Sequence, residues 1–258
     1  VRRLGGGRSF LAEVLRSPPA LVFNIAEGRG CTRSREAQVP AVCELLGIPA
    51  THSDPLALAL SLDKAMAKRV AQALGVPTAA DAILERAEQV GWLPFAYPVL
   101  AKPLYEGSSK GIRRSSLCAD ASALRAEAER LLSGYGEPVL VEEFCPGPEF
   151  TVGILERDGR PEVIGVMEIR PRRGRPEEFV YSLEIKRNYL EEVEYRVPPE
   201  QPEKLLEEVR AVALGTFRAL GCRDVARVDV RVGAEGRAKL LEINQLPGLN
   251  PVTGDLVI

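Results

Sequence analysis

Apolar and polar positions alternate most regularly late in the chain, from Asp224 to Gly248 (DVARVDVRVGAEGRAKLLEINQLPG). Two alternating runs separated by Ala234-Glu235-Gly236-Arg237 predict a β-hairpin. With a two-residue loop at Glu235 and Gly236, Ala234 pairs with Arg237, Asp229 faces Glu242 and Arg227 faces Asn244. Side chains alternate across a strand, so Arg227, Asp229, Glu242 and Asn244 share one face. Val228, Val230, Leu241 and Ile243 take the other face and cover a core.

The earlier pattern is different. Ala20 to Ile25 is a short apolar run that predicts a buried parallel strand. A glycine- and arginine-bearing loop follows from Glu27 to Arg35, then a helix from Glu36 to Leu46 closed by Gly47. This strand–loop–helix order predicts a small α/β unit. Pro55 opens a helix after Asp54, and Asp63 caps another from Lys64 to Leu74 that Gly75 ends. Tyr97 to Lys102 reads as a strand, residues 103–111 as a turn-rich loop, and Ile112 to Ser115 as a returning strand. Ala121 to Leu132 reads as a helix and Pro138 to Phe144 as a strand. Asp158-Gly159 joins Glu149–Leu155 to Glu162–Met167 as a hairpin, residues 170–178 read as a mobile loop, and Pro202 to Leu220 as a helix. The second half is therefore α+β. Composition shifts near Ser53 and near Gly75–Ala80 are candidate domain boundaries.

Composition narrows the partners. At 258 residues and 45% hydrophobic, the chain can bury a full core in one large domain or several small ones. A net charge of −2 gives no reason to expect nucleic acid or an anionic membrane as partner. Five widely spaced cysteines without a C-x-x-C pair argue for reduced thiols, against a disulfide framework and against structural zinc. The single His52 leaves little room for histidine-based triads. No apolar run approaches the roughly 20 residues that span a bilayer, and no signal peptide opens the chain, so the expected location is cytoplasmic. Val1 begins as if within an element and Asp255 to Ile258 stops in an apolar run, as in a piece of a longer chain.

Three constellations carry candidate chemistry. Asp229, Glu242 and Asn244 are hard oxygen donors of the kind that hold Mg²⁺ together with phosphates; the same alternation also describes a solvated face with a cross-strand salt bridge. The glycine-bearing tail Asn244-Gln245-Leu246-Pro247-Gly248 favours the metal reading, because it lets backbone N–H groups approach an anion. Lys102 beside Gly107-Ser108-Ser109-Lys110-Gly111 has the makings of a phosphate site without Walker A order, although a Gly/Ser loop alone is more often a turn. Glu142 to Glu149 leaves a strand through Pro146-Gly147-Pro148, where freed backbone can meet an adenine edge and Glu149 ribose hydroxyls; a solvated strand end has the same look.

Taken in order, Lys64, Lys102, Gly107-Ser-Ser-x-Gly111, Glu142…Pro146-Gly147-x-Glu149, Arg227-x-Asp229 and Glu242-x-Asn244-x-x-Pro-Gly248 resemble the ATP-grasp superfamily, and within it the D-alanine–D-alanine ligases. The resemblance implies an ATP-grasp fold. A small parallel α/β N-terminal domain (1–53) would precede two α+β subdomains (54–141 and 142–258) that sandwich ATP. It implies that Lys64, Lys102 and Lys186 contact phosphates, with Ser108 and Ser109 in the loop over them. Glu142, the backbone of Glu143 and Cys145, and Glu149 would hold adenosine. Asp229, Glu242 and Asn244 would hold two Mg²⁺ ions, with Mn²⁺ as an alternative. Arg227, Ser108 and the Gly248 N–H would steady an acyl phosphate and a tetrahedral intermediate. The implied reaction is ATP-dependent amide formation between small amino-acid or carboxylate and amine substrates, by a homodimer. No protein nucleophile is needed, which suits a chain so poor in histidine.

The pattern departs from the family in the first domain and beyond. Glu27 stands where the ligases carry His, and the next loop is longer and bears Arg29, Arg33 and Arg35. Lys186 and Tyr189 are separated where the ligases have them adjacent, and Thr253-Gly254 falls where a substrate-binding Ser is expected. Glu27 and Arg35 are therefore candidate substrate residues, the arginine suiting an extra carboxylate. Ligation of another carboxylate–amine pair and non-catalytic nucleotide binding are the alternative readings.

Overall fold

The computed structural model describes residues 1–30 and 32–250. The amino-terminal part carries helices α1 (Arg8–Arg16) and α2 (Gln38–Leu45). Phe10 and Val14, one turn apart on α1, bury against Val22, Val39, Cys43 and Ile48. Gly47 closes α2 at φ 64°, a conformation glycine adopts without strain. Two short helices follow, α3 (Pro55–Leu62) and α4 (Lys64–Ala73). Asp54 caps α3 by accepting from Ala57 N at 2.9 Å, and Asp63 caps α4 by accepting from Met66 N at 3.1 Å. Each such cap is worth about 1 kcal/mol.

Two antiparallel sheets form the rest. The first contains β1 (Asp81–Leu84), β2 (Val99–Pro103), β3 (Leu117–Cys118) and β4 (Val139–Glu143) in the order β1-β4-β2-β3. Helix α5 (Ala121–Tyr135) lays Leu124, Ala128 and Leu131 against Val99, Ala101, Val139 and Val141. The second contains β5 (Glu149–Arg157), β6 (Arg160–Pro171), β7 (Val193–Arg196), β8 (Val225–Val232) and β9 (Ala238–Asn244) in the order β7-β6-β5-β8-β9. Short helices α6 (Leu183–Arg187) and α7 (Tyr189–Glu192) lie between β6 and β7. Helix α8 (Glu203–Ala219) buries Val209, Ala213 and Phe217 with Phe150, Val152, Ile154, Val228 and Val230 in the largest core. A fully buried Phe or Ile side chain contributes about 1.5–3 kcal/mol, so this layer dominates the stability of the carboxy-terminal half. Helix α4 reaches the same core through Ala67 and Ala71, tying the early helices to the second sheet.

The β8–β9 hairpin departs from the two-residue loop in an instructive way. Gly233 N donates to Arg237 O (2.9 Å) and Gly236 N to Gly233 O (3.0 Å), so three residues, with Gly236 at φ 76°, make the turn. Val230 pairs with Leu240 there, one step off the expected register. A β-bulge then restores it, because Asp229 pairs with Glu242 and Arg227 with Asn244. Leu241 is the extra residue. It leaves the core face assigned to it from alternation and lines the site, while Leu240 takes the core position at 1% exposure. The bulge puts two consecutive side chains on one face.

Other elements also differ from expectation. Ala20–Ile25 is not a buried strand. Only Val22 bridges Ala50, in parallel, and Leu21, Phe23 and Ile25 are exposed because no strand among the described residues lies on their other side. Residues 112–115 do not return as a strand; a 3-10 turn at Arg114–Ser116 delays pairing to Leu117, and Ser115 and Ser116 donate to Glu127 of α5 instead. Strands β1 and β7 and helix α1 are too short or too polar to show in the pattern. Lys186 sits in α6, not in an irregular loop. By contrast, Asp158 and Gly159 at φ 52° and 72° form the two-residue turn read from their sequence.

Cys43, Cys118, Cys145 and Cys222 are free and buried; Cys31 and Thr253 to Ile258 lie outside the described residues. No helix among the described residues is long and apolar enough to cross a membrane.

Candidate functional site

The two sheets and the early helices enclose a cavity of about 760 Å³, with a smaller one of about 70 Å³ beside it. Glu242, Lys186 and Tyr181 line both. Lys102, Ser109, Glu142, Glu143, Cys145, Glu149 and Asp229 line the small pocket. Lys64, Ser108, Arg227, Asn244 and Gly248 line the large cavity, together with Glu27 and Arg35. The structure thus brings every candidate residue to one of two adjoining spaces.

Strand alternation builds the shared wall. Arg227, Asp229 and Arg231 project from one face of β8, with Val228 and Val230 buried behind them. Arg227 donates Nε to Asp229 Oδ1 (3.1 Å) and Nη2 to Oδ2 (2.8 Å), a forked pair, and lies 4.0 Å from Glu242. Thr151 Oγ1 donates to Asp229 Oδ1 (2.9 Å) from the neighbouring β5. Asn244 donates its amide nitrogen to Asp229 Oδ2 (3.4 Å). Burial pushes the Glu242 carboxyl up, but Lys64, Lys102, Arg227 and Lys186 outweigh burial and hold it below the usual range. Among the described residues no three His, Cys, Asp or Glu side chains gather as a ready metal cluster. Two carboxylates and an amide oxygen under four cations nevertheless fit a Mg²⁺ ion that takes its remaining ligands from phosphates and water.

Helix α4 supplies two lysines one turn apart. Lys64 Nζ is anchored by the carbonyls of Leu104 (3.4 Å) and Glu106. Lys68, which the sequence reading passed over, is 1% exposed and reaches Glu142 Oε1 at 2.5 Å and Asp81 at 3.7 Å. Lys102 meets the other oxygen of Glu142 at 2.6 Å. Burial alone would raise the Glu142 carboxyl; the two lysines hold it down at about 2. The i, i+4 spacing of Lys64 and Lys68 was the signal for this partner.

Glu149 is paired from β8 by Arg231 (3.3 Å), which also donates to Phe179 O (2.6 Å) and lies 4.7 Å over the Phe144 ring. Arg231 belongs to the same alternating face as Asp229 and could have been read from it. Glu143 is committed elsewhere: its carboxylate accepts from Ala80 N (3.0 Å) and Lys239 (2.6 Å), and its N–H donates to Ala80 O (3.0 Å). Ser108 and Ser109 both hold φ 55° in the loop over the two spaces, and Ser109 Oγ donates to Tyr181 O (3.0 Å). Non-glycine residues at positive φ cost about 1–3 kcal/mol each, a strain that clusters at ligand-clamping segments. Lys186 lies 4.9 Å over the Tyr181 ring, whose hydroxyl bonds that of Tyr195.

Comparison with known proteins places this arrangement. Residues 70–253 match the family described as D-ala D-ala ligase C-terminus. The uncharacterized protein y4sG of Sinorhizobium fredii is 34% identical over 233 residues, covering 89% of this chain and 66% of that protein. A D-alanine–D-alanine ligase of the same organism is 33% identical over 258 residues, covering 98% of this chain and 79% of the ligase. A crystal structure of D-alanine–D-alanine ligase from Bacillus anthracis complexed with ATP shares the fold, with a TM-score of 0.69 at 22% identity over 94% of this chain and 73% of that one. The chain belongs to the D-alanine–D-alanine ligase-like proteins, ATP-dependent ligases of the ATP-grasp fold.

Proposed function

We propose that this chain uses ATP to join a carboxylate to an amine through an acyl phosphate, with the small pocket as the nucleotide side and the large cavity as the substrate side. The observation that carries this reading is the wall common to both spaces, where Glu242 and Lys186 line the small pocket and the large cavity at once. A ligase needs such a wall, since the γ-phosphoryl group must meet a carboxylate that arrives from elsewhere. Domain boundaries at 53/54 and 141/142, a homodimer and a cytoplasmic location belong to the same reading, on the family resemblance.

In this proposal Lys64, Lys102 and Lys186 set positive charge along the phosphates. Glu142, Glu149 and the backbone near Cys145 hold the nucleoside. Asp229, Glu242 and Asn244 would hold Mg²⁺, which would supply charge neutralisation during phosphoryl transfer. The substrate carboxylate attacks the γ-phosphorus, ADP leaves, and an amine then displaces inorganic phosphate to give the amide. Arg227 and the Gly248 N–H steady the oxygen on which charge develops. Fixed donors of this kind lower the barrier because they need no reorganisation during the step.

The test is ADP release by the full-length protein with Mg²⁺-ATP across D-alanine, L-amino acids and dicarboxylic amino acids. Release that requires an amino-acid pair supports the ligase. Nucleotide binding without release for any pair would move the protein to non-catalytic binding.

A further inference from the structure

Of the three arginines in the loop that separates this chain from the ligase pattern, one is buried at the cavity. Arg29 and Arg33 are exposed, and Arg33 lies 3.5 Å from Asp63. Arg35 is 7% exposed and lines the large cavity. Its Nη2 lies 3.7 Å from Glu106, while its Nη1 is buried with no hydrogen-bond partner. A buried guanidinium edge without an acceptor is costly unless a ligand or an ordered water supplies one. The loop is built to hold it there: a Cβ on Gly28, at φ 76°, would fall 2.0 Å from the Arg35 carbonyl oxygen, so only glycine lets the two loop ends meet. Glu36 follows at the cavity, surrounded by Arg35, Lys64, Glu27 and Glu106.

Resting on the ligase reading, we propose that Arg35 and Glu36 form a recognition site for the charged groups the reaction leaves untouched. Arg35 takes a free carboxylate and Glu36 takes an ammonium. Any two amino acids joined by an amide retain one of each. Arg227 is engaged by both oxygens of Asp229, whereas Arg35 has an edge to spare. The planar guanidinium suits a carboxylate in two-point contact. Burial pushes the Glu36 carboxyl up to about 7 against the pull of Arg35, so an arriving ammonium shifts it toward the ionised form. The free carboxylate comes either from the side chain of a dicarboxylic substrate or from the α-position of the acceptor.

Calorimetric titration separates these, with and without Mg²⁺ and a non-hydrolysable ATP analogue, using D-glutamate, D-alanine and D-alaninamide. Wild-type protein is expected to bind at least one of the two carboxylates ten times or more tighter than the amide. Arg35→Met should abolish that difference, Arg35→Lys should restore part of it, and Glu36→Gln should weaken all three amine-bearing probes. Loss confined to D-glutamate identifies a side-chain carboxylate, and equal loss for D-alanine identifies the α-carboxylate. Carboxylate binding unchanged in Arg35→Met, or no binding of either carboxylate to wild type at millimolar concentration, overturns the proposal. Because binding needs no turnover, a protein that binds through Arg35 but releases no ADP would remove the ligase reading and leave the site.

Discussion

The two sides of the site treat charge in opposite ways. Around the small pocket, acids meet bases within the chain: Glu142 lies between Lys68 and Lys102, Glu149 against Arg231, and Asp229 in the fork of Arg227. On the amino-terminal wall, Arg35 keeps an unpartnered edge and Glu36 is held largely by burial. The difference teaches where each ligand is specified. A polyanion of fixed shape can be met by a pre-assembled lattice of charges, whose members hold one another in place. A variable substrate is met by groups that still need a partner, and these sit on the loop that separates this chain from the ligase pattern.

The largest expected effect strikes the shared wall. Glu242→Gln should lower ADP release by about a hundredfold or more, in line with loss of one preorganised electrostatic group. It should also lower the thermal midpoint, since against burial Lys64, Lys102, Arg227 and Lys186 hold the carboxyl ionised in the fold. Equal turnover would break the assignment of that wall to Mg²⁺-ATP. Next comes Lys68→Met. Removing one member of a buried ion cluster costs about 3 kcal/mol, or roughly 6–12 °C in a chain of this size. A fall of under 1 °C by differential scanning calorimetry would show that the nucleotide side is not held together by its own charges.

Acid and base should then divide the two regions. The Glu142 carboxyl lies below its unfolded value of about 4.5, so its contribution is present above that pH and is lost as pH falls toward about 2. Glu36 lies above its unfolded value, so folding with it becomes less favourable as pH rises from about 4.5 to 7. Thermal midpoints between pH 4 and 8 should therefore rise for Glu36→Gln relative to wild type only toward the upper end. Glu142→Gln should already be destabilised relative to wild type at about pH 5 and change little from there to about pH 8, because its own window lies between about 2 and 4.5. Parallel curves for both variants would dissolve the contrast. The smallest effect is expected from Leu241→Ala, under about 1 kcal/mol in urea unfolding, against about 2–5 for Leu240→Ala in the core. Equal costs would mean that the bulge does not turn Leu241 toward the nucleotide.

Much of this was legible in the sequence where a residue's neighbour is fixed by strand alternation. Asp229 meets Glu242 as read from the pattern, but for a partly wrong reason. A three-residue turn shifted the register by one and the bulge at Leu241 shifted it back. Alternation cannot count a bulge, so Leu241 and Leu240 exchanged roles unseen. Caps at Asp54 and Asp63 were legible because they act over three residues. Lys68 and Arg35 were harder, since their partners Glu142 and Glu106 lie 74 and 71 positions away and only the packed sheets bring them together. Arg35 was named with Glu27 as a candidate substrate residue from the departure of its loop; the burial that separates it from the exposed Arg29 and Arg33 is not shown by a loop sequence.

The buried cysteines give the molecule an internal reporter. Burial raises the thiols of Cys118 and Cys222 to about 12 and that of Cys145 to about 11, far from thiolate at neutral pH. An alkylating reagent reacts with thiolate, so these positions should stay unlabelled while the chain is folded and react once it opens. They lie in β3 of the first sheet, in the link between β4 and β5, and just after α8. Peptide-resolved labelling would thus time the opening of each part separately, and Cys145, which lines the small pocket, would slow further on adding ATP if that pocket takes the nucleotide.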